Sequence, residues 1–408
     1  MLTWSQRFRF SEWVRASTWL IPAACVAAAI VLAQLLPEFD KRIEADPPFV
    51  YGVDSAQELL SAIAAGMIAF TGFVFSMLIL AVQFGSNAFT PRLLRSFDQG
   101  FTVKLALGAF VATFIYALLV LSEVAPADDK NFVPQYSVNA AVVLVGLSVL
   151  MFLLLIASVT GFLRASRVVA DTGRTGRRAI ETAFPRPAET PEQPRTDHVA
   201  FGAASYDIAN PGRAGVVQAF DPGGITTVAE ANSLVVEMLP AVGEFVAHGA
   251  AVFRVSEEPD SGTQKRILDS IALGEERTSR QDPAYALRIL VDIAIKALSP
   301  GINDPTTAVQ ALDQIEDLLL MLAGRRLPDG AYRDGGGEVR FFYRTPTWGE
   351  YLDLAFTEIR TYGADSPQVA LRLREVLQSL RAAAPAWRME AIDEQSRRLE
   401  DAVAAANP

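Results

Sequence analysis

The sequence predicts a membrane α-helical N-terminal half with four transmembrane helices. A cytoplasmic α+β region follows, in which a small β-domain precedes a helical domain. Four long apolar runs carry the first expectation, and a change of character near residue 164 carries the second. Hydrophobic residues make up 51% of the 408 and charged residues only 20%, against roughly 25% charged in an ordinary soluble domain. Residues 1–163 hold 9 basic and 11 acidic side chains, whereas residues 164–408 hold 27 and 35. An apolar front joined to a charged back does not form one water-soluble globule. The net charge of −10 argues against a nucleic-acid partner, which needs a basic surface.

The runs are Ser17–Leu36, Leu59–Phe84, Phe101–Ser122 and Ser137–Leu163. About 20 apolar residues cross a hydrocarbon core ~30 Å thick. Only the third run is charged, at Lys104 near its start, where a long stem is expected to snorkel to the interface. The first is long for a signal peptide, and no small-residue cleavage pattern precedes Pro37. Orientation follows from the basic residues of short loops. Arg7, Arg9 and Arg15 precede the first span, Arg92, Arg95 and Lys104 lie around the second connection, and Arg164, Arg167, Arg174, Arg177 and Arg178 follow the fourth. The other two loops are acidic. These features predict a multi-pass protein of a bacterial inner (plasma) membrane with both termini cytoplasmic.

The second span is long, and its polar residues make it the candidate pore wall. Thr71, Ser76 and Gln83, with Asn87 just beyond, are the pore-lining candidates; Ser76, Gln83 and Asn87 fall near one helical face. Gly66 and Gly72 add small surfaces, and Arg92 and Arg95 would stand at the inner mouth. The same small and hydroxyl residues also join helices in lipid without any pore. No carboxylate or histidine lies at mid-depth, which disfavours proton- or sodium-coupled transport. A passive pore built by several subunits needs neither.

Behind the spans, residues 164–198 read as a basic juxtamembrane segment and a proline-rich linker, the latter marked by Pro185, Pro187, Pro191 and Pro194. The basic segment is expected to contact anionic lipid. Residues 199–263 read as the β-domain. Gly215–Phe220, Leu234–Leu239, Val242–Gly249 and Ala251–Val255 are its strands, and Asp221–Gly224 is a turn. The glycine-turn pattern around Val242–Gly249 resembles the hairpin of biotinyl- and lipoyl-type domains. No lysine lies between Lys130 and Lys265, so cofactor attachment there is excluded.

Residues 264–408 read as the helical domain. Asp282-Pro283, Asp304-Pro305 and Ser366-Pro367 each place a capping residue before a proline at the first helical position. The helices they open are Ala284–Ser299, Thr306–Ala323 and Gln368–Ala382. Pro328–Gly337 reads as a loop before a short strand, Val339–Tyr343. Between the first two helices lies Ala297-Leu-Ser-Pro-Gly-Ile-Asn-Asp-Pro-Thr-Thr-Ala308. As a structural turn, Gly301 ends one helix in the left-handed conformation, and Asp304 and Pro305 start the next. As a ligand site, Ser299, Asn303 and Asp304, with the Thr306 and Thr307 amides at a helix N-terminus, would bind an ion or polar ligand, with Asp304 competing for the donors.

The single cysteine, Cys25, and two histidines, His198 and His248, leave no disulfide and no expected metal site. No nucleophile elbow or phosphate loop is present, so neither an enzyme nor a cofactor is expected.

Three segments resemble one family. Asp282–Leu319 (DPAYALRILVDIAIKALSPGINDPTTAVQALDQIEDLL), Ala81–Arg92 with its Phe-Thr-Pro-Arg ending, and Asp353–Gly363 are similar to the domain of unknown function 2254 family of bacterial membrane proteins. The resemblance implies topology and class, and no activity. Together these readings lead to an integral inner-membrane protein that acts as a homo-oligomeric channel-like or conductance-regulating protein. The alternative is a membrane-anchored sensor or scaffold whose cytoplasmic domain binds a ligand or partner. The expected partners are membrane lipid, further copies of the chain and an ion or small ligand.

Overall fold

The computed structural model describes residues 3–42, 47–88, 101–125, 132–162, 164–191, 201 and 205–406. The chain divides into two compact units, residues 13–164 and residues 1–12 with 165–408.

Helix α1 (Trp4–Ala16) leads to the four membrane helices, α2 (Leu20–Asp40), α3 (Val53–Ala88), α4 (Phe101–Ser122) and α5 (Gln135–Phe162). All four are long and apolar enough to cross a membrane. Each matches one of the four apolar runs, because an apolar segment in lipid must satisfy its backbone polar groups internally, as a helix does. α4 packs against α2, α3 and α5. In its most apolar stretch 44% of residues are buried, against 17–22% for the other three.

The polar groups of α4 are spent inside this unit. Lys104 does not snorkel: it is 2% exposed, and its Nζ donates to the Ser17 carbonyl at 3.0 Å. A carbonyl near the start of α2 thus meets the ammonium, and the stem is enclosed. Thr113 and Ser148 share a hydrogen bond of 3.0 Å, and the Tyr116 hydroxyl donates to Ser137 O at 3.0 Å. Gly108 lets α2 approach closely; a Cβ there would lie 2.9 Å from Cys25 Sγ and 3.0 Å from Pro22 Cα. The end of α2 caps α5. The Asp40 carboxylate accepts from Tyr136 N (2.7 Å), Ser137 N (3.0 Å) and Ser137 Oγ (2.6 Å), satisfying free N–H groups and complementing the helix dipole.

The C-terminal unit takes up again with α6 (Ala165–Ala183), a helix of its bundle. It packs on α9 (Pro283–Ala297) and α10 (Pro305–Ala323) through Val168, Val169, Gly176 and Ile180. A Cβ on Gly176 would come within 2.8 Å of Ala286 Cβ, so glycine sets the helix separation. Arg174 pairs with Asp171, and Arg177 with Asp317 of α10. Arg177 thus reaches a neighbouring helix, while Arg174 pairs within its own.

The strands are β1 (Tyr206–Ala209), β2 (Gly215–Phe220), β3 (Val236–Met238), β4 (Phe245–Val246), β5 (Ala251–Val255), β6 (Ile271–Gly274), β7 (Ala331–Arg333) and β8 (Val339–Tyr343). One sheet runs β1-β5-β3-β8-β7 and the other β4-β2-β6. β3 and β8 are parallel, with Val236 opposite Phe341; the remaining pairs are antiparallel. Ile208, Val217, Phe253 and Phe341 form the buried centre. The sheets therefore take strands from beyond residue 263, with β6, β7 and β8 arising within the segment read as helical. Two local readings change. Asp221–Gly224 is the start of α7 (Pro222–Ala231), with Asp221 accepting from Gly224 N. The stretch Pro328–Gly337 contains β7, held by β8. Helix α8 (Ser261–Leu268) precedes β6, and α11 (Trp348–Gly363), α12 (Pro367–Ala383) and α13 (Met389–Ala406) complete the bundle.

Candidate functional site

The second span presents two opposite faces. At 100° per residue, Leu60, Met67, Val74, Leu78 and Ala81 fall on one side of α3, and all are buried. Ala65, Ala69, Gly72, Ser76 and Gln83 fall on the other side, and all are exposed. Bulky apolar residues flank this stripe. Ile68, Phe75 and Ile79 stand on one side of it and Phe73, Leu80 and Phe84 on the other, all exposed. The result is a shallow groove with a floor of small and neutral polar side chains. At Gly72 no atom lies within 4 Å of the position a Cβ would take. The Ser76 hydroxyl donates to Gly72 O at 3.0 Å, so its hydrogen stays on its own helix while its oxygen keeps acceptor capacity.

The four residues singled out on this span do not share one face. Ser76 and Gln83 lie in the groove. Thr71 sits on the flank towards the bundle, half-buried, and donates to Met67 O at 2.7 Å. Asn87 is on the last turn of α3. Arg92 and Arg95 lie outside the described residues. The groove floor at Ala65 and Ala69 escaped sequence reasoning because alanine carries no polar label. The signal was there as a small residue every three or four positions.

The turn between α9 and α10 is closed by its own hydrogen bonds. The Ser299 hydroxyl donates to Lys296 O at 2.6 Å. Asn303 N and Ile302 N both donate to Ser299 O at 2.9 Å, and Asp304 N donates to Ala297 O at 2.8 Å. The left-handed residue is Asn303, with φ +49°, and not Gly301. Asparagine tolerates that region better than most side-chain-bearing residues. Asp304 caps α10 with both carboxylate oxygens, one taking Thr307 N (3.1 Å) and the other Thr307 Oγ1 (2.6 Å). Pro305 takes the first helical turn, where its missing N–H costs nothing. Gly301, Asn303 and Thr306 are exposed, while Ser299 is half-buried.

The same device recurs at Asp282, which is 5% exposed. It caps α9 through Tyr285 N at 3.1 Å and accepts from Arg277 Nε (2.9 Å) and Nη2 (2.7 Å). Burial pushes its carboxyl above the usual carboxylate range, and the Arg277 charge pulls it back only in part. Farther along α9, Arg288 bridges Asp292 and, by a two-pronged contact at 2.7 and 2.6 Å, Glu358 of α11. Ser366 precedes Pro367 as expected but makes no side-chain cap bond. His248 is a loop residue whose Nδ1 lies 2.8 Å from Gly212 O, at an open, shallow depression lined also by Pro211 and Arg213. Among the described residues, no three His, Cys, Asp or Glu side chains gather to hold a metal ion.

The comparisons with known proteins point to a membrane protein. Residues 15–379 match a family described as "Predicted membrane protein (DUF2254)". An uncharacterized protein of Mycobacterium bovis and one of Mycobacterium tuberculosis are each 27% identical over 392 residues, covering 92% of this chain and 74% of the relative. No solved structure matches.

Proposed function

This chain belongs to the DUF2254 family of membrane proteins, and from that premise we propose that it is a homo-oligomeric, channel-like protein of the bacterial inner membrane, with both termini cytoplasmic. The observation that carries this reading is the outward groove of α3. In lipid there is no hydrophobic gain from bringing helices together, so association relies on close packing at small residues. A groove of Ala65, Ala69, Gly72 and Ser76 on the outside of a four-helix unit suits a helix from another copy. Gln83 and Ser76 then supply neutral polar groups at the contact, and conduction between copies needs no more than such groups and an apolar constriction. The lack of Asp, Glu, Lys, Arg and His within the span supports passive flow over coupled transport. The distribution of arginines around the spans supports the orientation.

The test is electrical. Full-length protein is reconstituted in planar bilayers, and currents are recorded under voltage and tension in symmetric salt. Discrete steps that disappear in Ser76→Trp or Gln83→Trp, with the oligomer still present by mass, support the pore. A silent bilayer containing folded, inserted oligomer would leave the four helices as an anchor for the C-terminal unit.

A further inference from the structure

We propose that α1 is an interfacial helix that binds the surface of an anionic bilayer with one face while its other face holds the C-terminal unit. The inner face is fixed by specific contacts. Ser5 is buried, and its N–H donates to Asp269 O at 3.2 Å. The Arg280 guanidinium lies over the Phe8 ring at 4.9 Å and donates to Ser11 Oγ (3.1 Å) and Glu12 Oε1 (3.0 Å). Trp4 stacks on Phe8 with centroids 5.4 Å apart. These residues recur at three- and four-residue spacing along one side of the helix.

The opposite side has a different chemistry. Gln6, Phe10 and Trp13 line it, with Phe10 60% and Trp13 58% exposed. Arg9 borders this strip on one edge and Arg7 on the other, both exposed. Among the described residues no carboxylate pairs with either arginine, and Glu12 faces Arg280. Exposed aromatic rings bordered by cations are what the headgroup boundary of a bilayer recognises, rings at acyl depth and guanidinium groups on phosphates. The occupant follows from the chain itself. Only three residues separate the end of α1 from the start of the first span at Leu20, so the helix is tethered where a bilayer surface must be. The low separation of polar and apolar faces in α1 as a sequence hides this, because aromatic rings occupy both sides.

The test uses the full chain in vesicles. A nitroxide is attached at Gln6→Cys, on the same strip, in a Cys25→Ser background, which leaves both aromatic rings in place. A second label at Gly335→Cys, an exposed loop position, reports the aqueous phase. Oxygen and water-soluble nickel collisions are then compared in vesicles with and without phosphatidylglycerol. The expected result is an oxygen-rich, nickel-poor label at position 6 in anionic vesicles. Replacing both arginines (Arg7→Gln with Arg9→Gln) should move the label towards water, by about fivefold in the bound fraction per arginine. Nickel exposure equal to that at position 335 would overturn the proposal. So would exclusion of both reagents, which would place protein and not lipid on this face. A label depth indifferent to the double arginine replacement would overturn the anionic-lipid recognition.

Discussion

α4 and α3 are both apolar membrane helices, yet they put their polar residues to opposite uses. On α4, Lys104, Thr113 and Tyr116 point inwards and meet Ser17, Ser148 and Ser137. On α3, Ser76 and Gln83 stand on the face turned away from its own bundle. Enclosed polar groups in a span must find partners within the chain, because lipid offers none. Small residues turned outwards leave room for another helix to approach closely. Asp282 and Asp304 repeat the contrast outside the membrane helices. Both cap a helix ahead of a proline, but one is enclosed and tied to Arg277, while the other caps at the surface.

If that contrast is right, the largest loss of protomer stability comes from filling the closest approach on α4. Gly108→Leu should cost about 3 kcal/mol, since overpacking forces α2 and α4 apart; thermal unfolding in detergent measures it. Asp282→Ala should cost about 2 kcal/mol, combining a lost cap with lost charged hydrogen bonds. Asp304→Ala should cost about 1 kcal/mol, the worth of a cap alone. Equal costs for the two aspartates in chemical denaturation would break the comparison between them. Thr113→Val should cost about 0.6 kcal/mol, typical of a hydrogen bond between membrane helices. Gly72→Leu should leave protomer unfolding within about 0.5 kcal/mol of the parent while lowering the oligomer mass in nanodiscs. A destabilised protomer with unchanged mass would reverse the assignment of the α3 face.

The pH dependence sharpens the Asp282 case. Its carboxyl is held above the unfolded value by burial, so the folded state binds its proton more readily than the unfolded state. Folding then takes up protons between the two values, and stability from this group falls as pH rises through that window. Wild type should therefore gain on Asp282→Asn as pH drops through the raised value towards the unfolded one, and the gain should shrink again as pH rises. Denaturant titrations of the two proteins across that range measure it.

Much of the local architecture was legible in the residues. The four spans, β2, β5 and β8, and the starts of α9, α10 and α12 fall where apolar length, alternation and Asp/Ser-Pro pairs put them. Of the candidate groove, Ser76 and Gln83 were legible as polar residues on one face. Residue type and helix membership place Thr71 among the polar candidates of α3, but the direction of the bundle core, which turns it inwards, is not encoded locally. Ala65 and Ala69 carry no polar label, so only the direction of the core marks them as groove floor. The cap at Asp304 is legible in the sequence, whereas the left-handed residue is Asn303 and not Gly301. Which residue bends depends on the tertiary path from Ala297 O to Asp304 N.

The sequence by itself determined that this chain enters a membrane four times and where its helices start. Both depend on groups within a few residues of one another: about 20 apolar side chains in a row, or a carboxylate three residues from an N–H. Only the tertiary structure decided that Lys104 is enclosed, that α6 joins a bundle, that β8 lies parallel to β3, and which side of α3 faces outwards. Each of these depends on a partner tens or hundreds of residues away, and no local pattern encodes a distance of that kind.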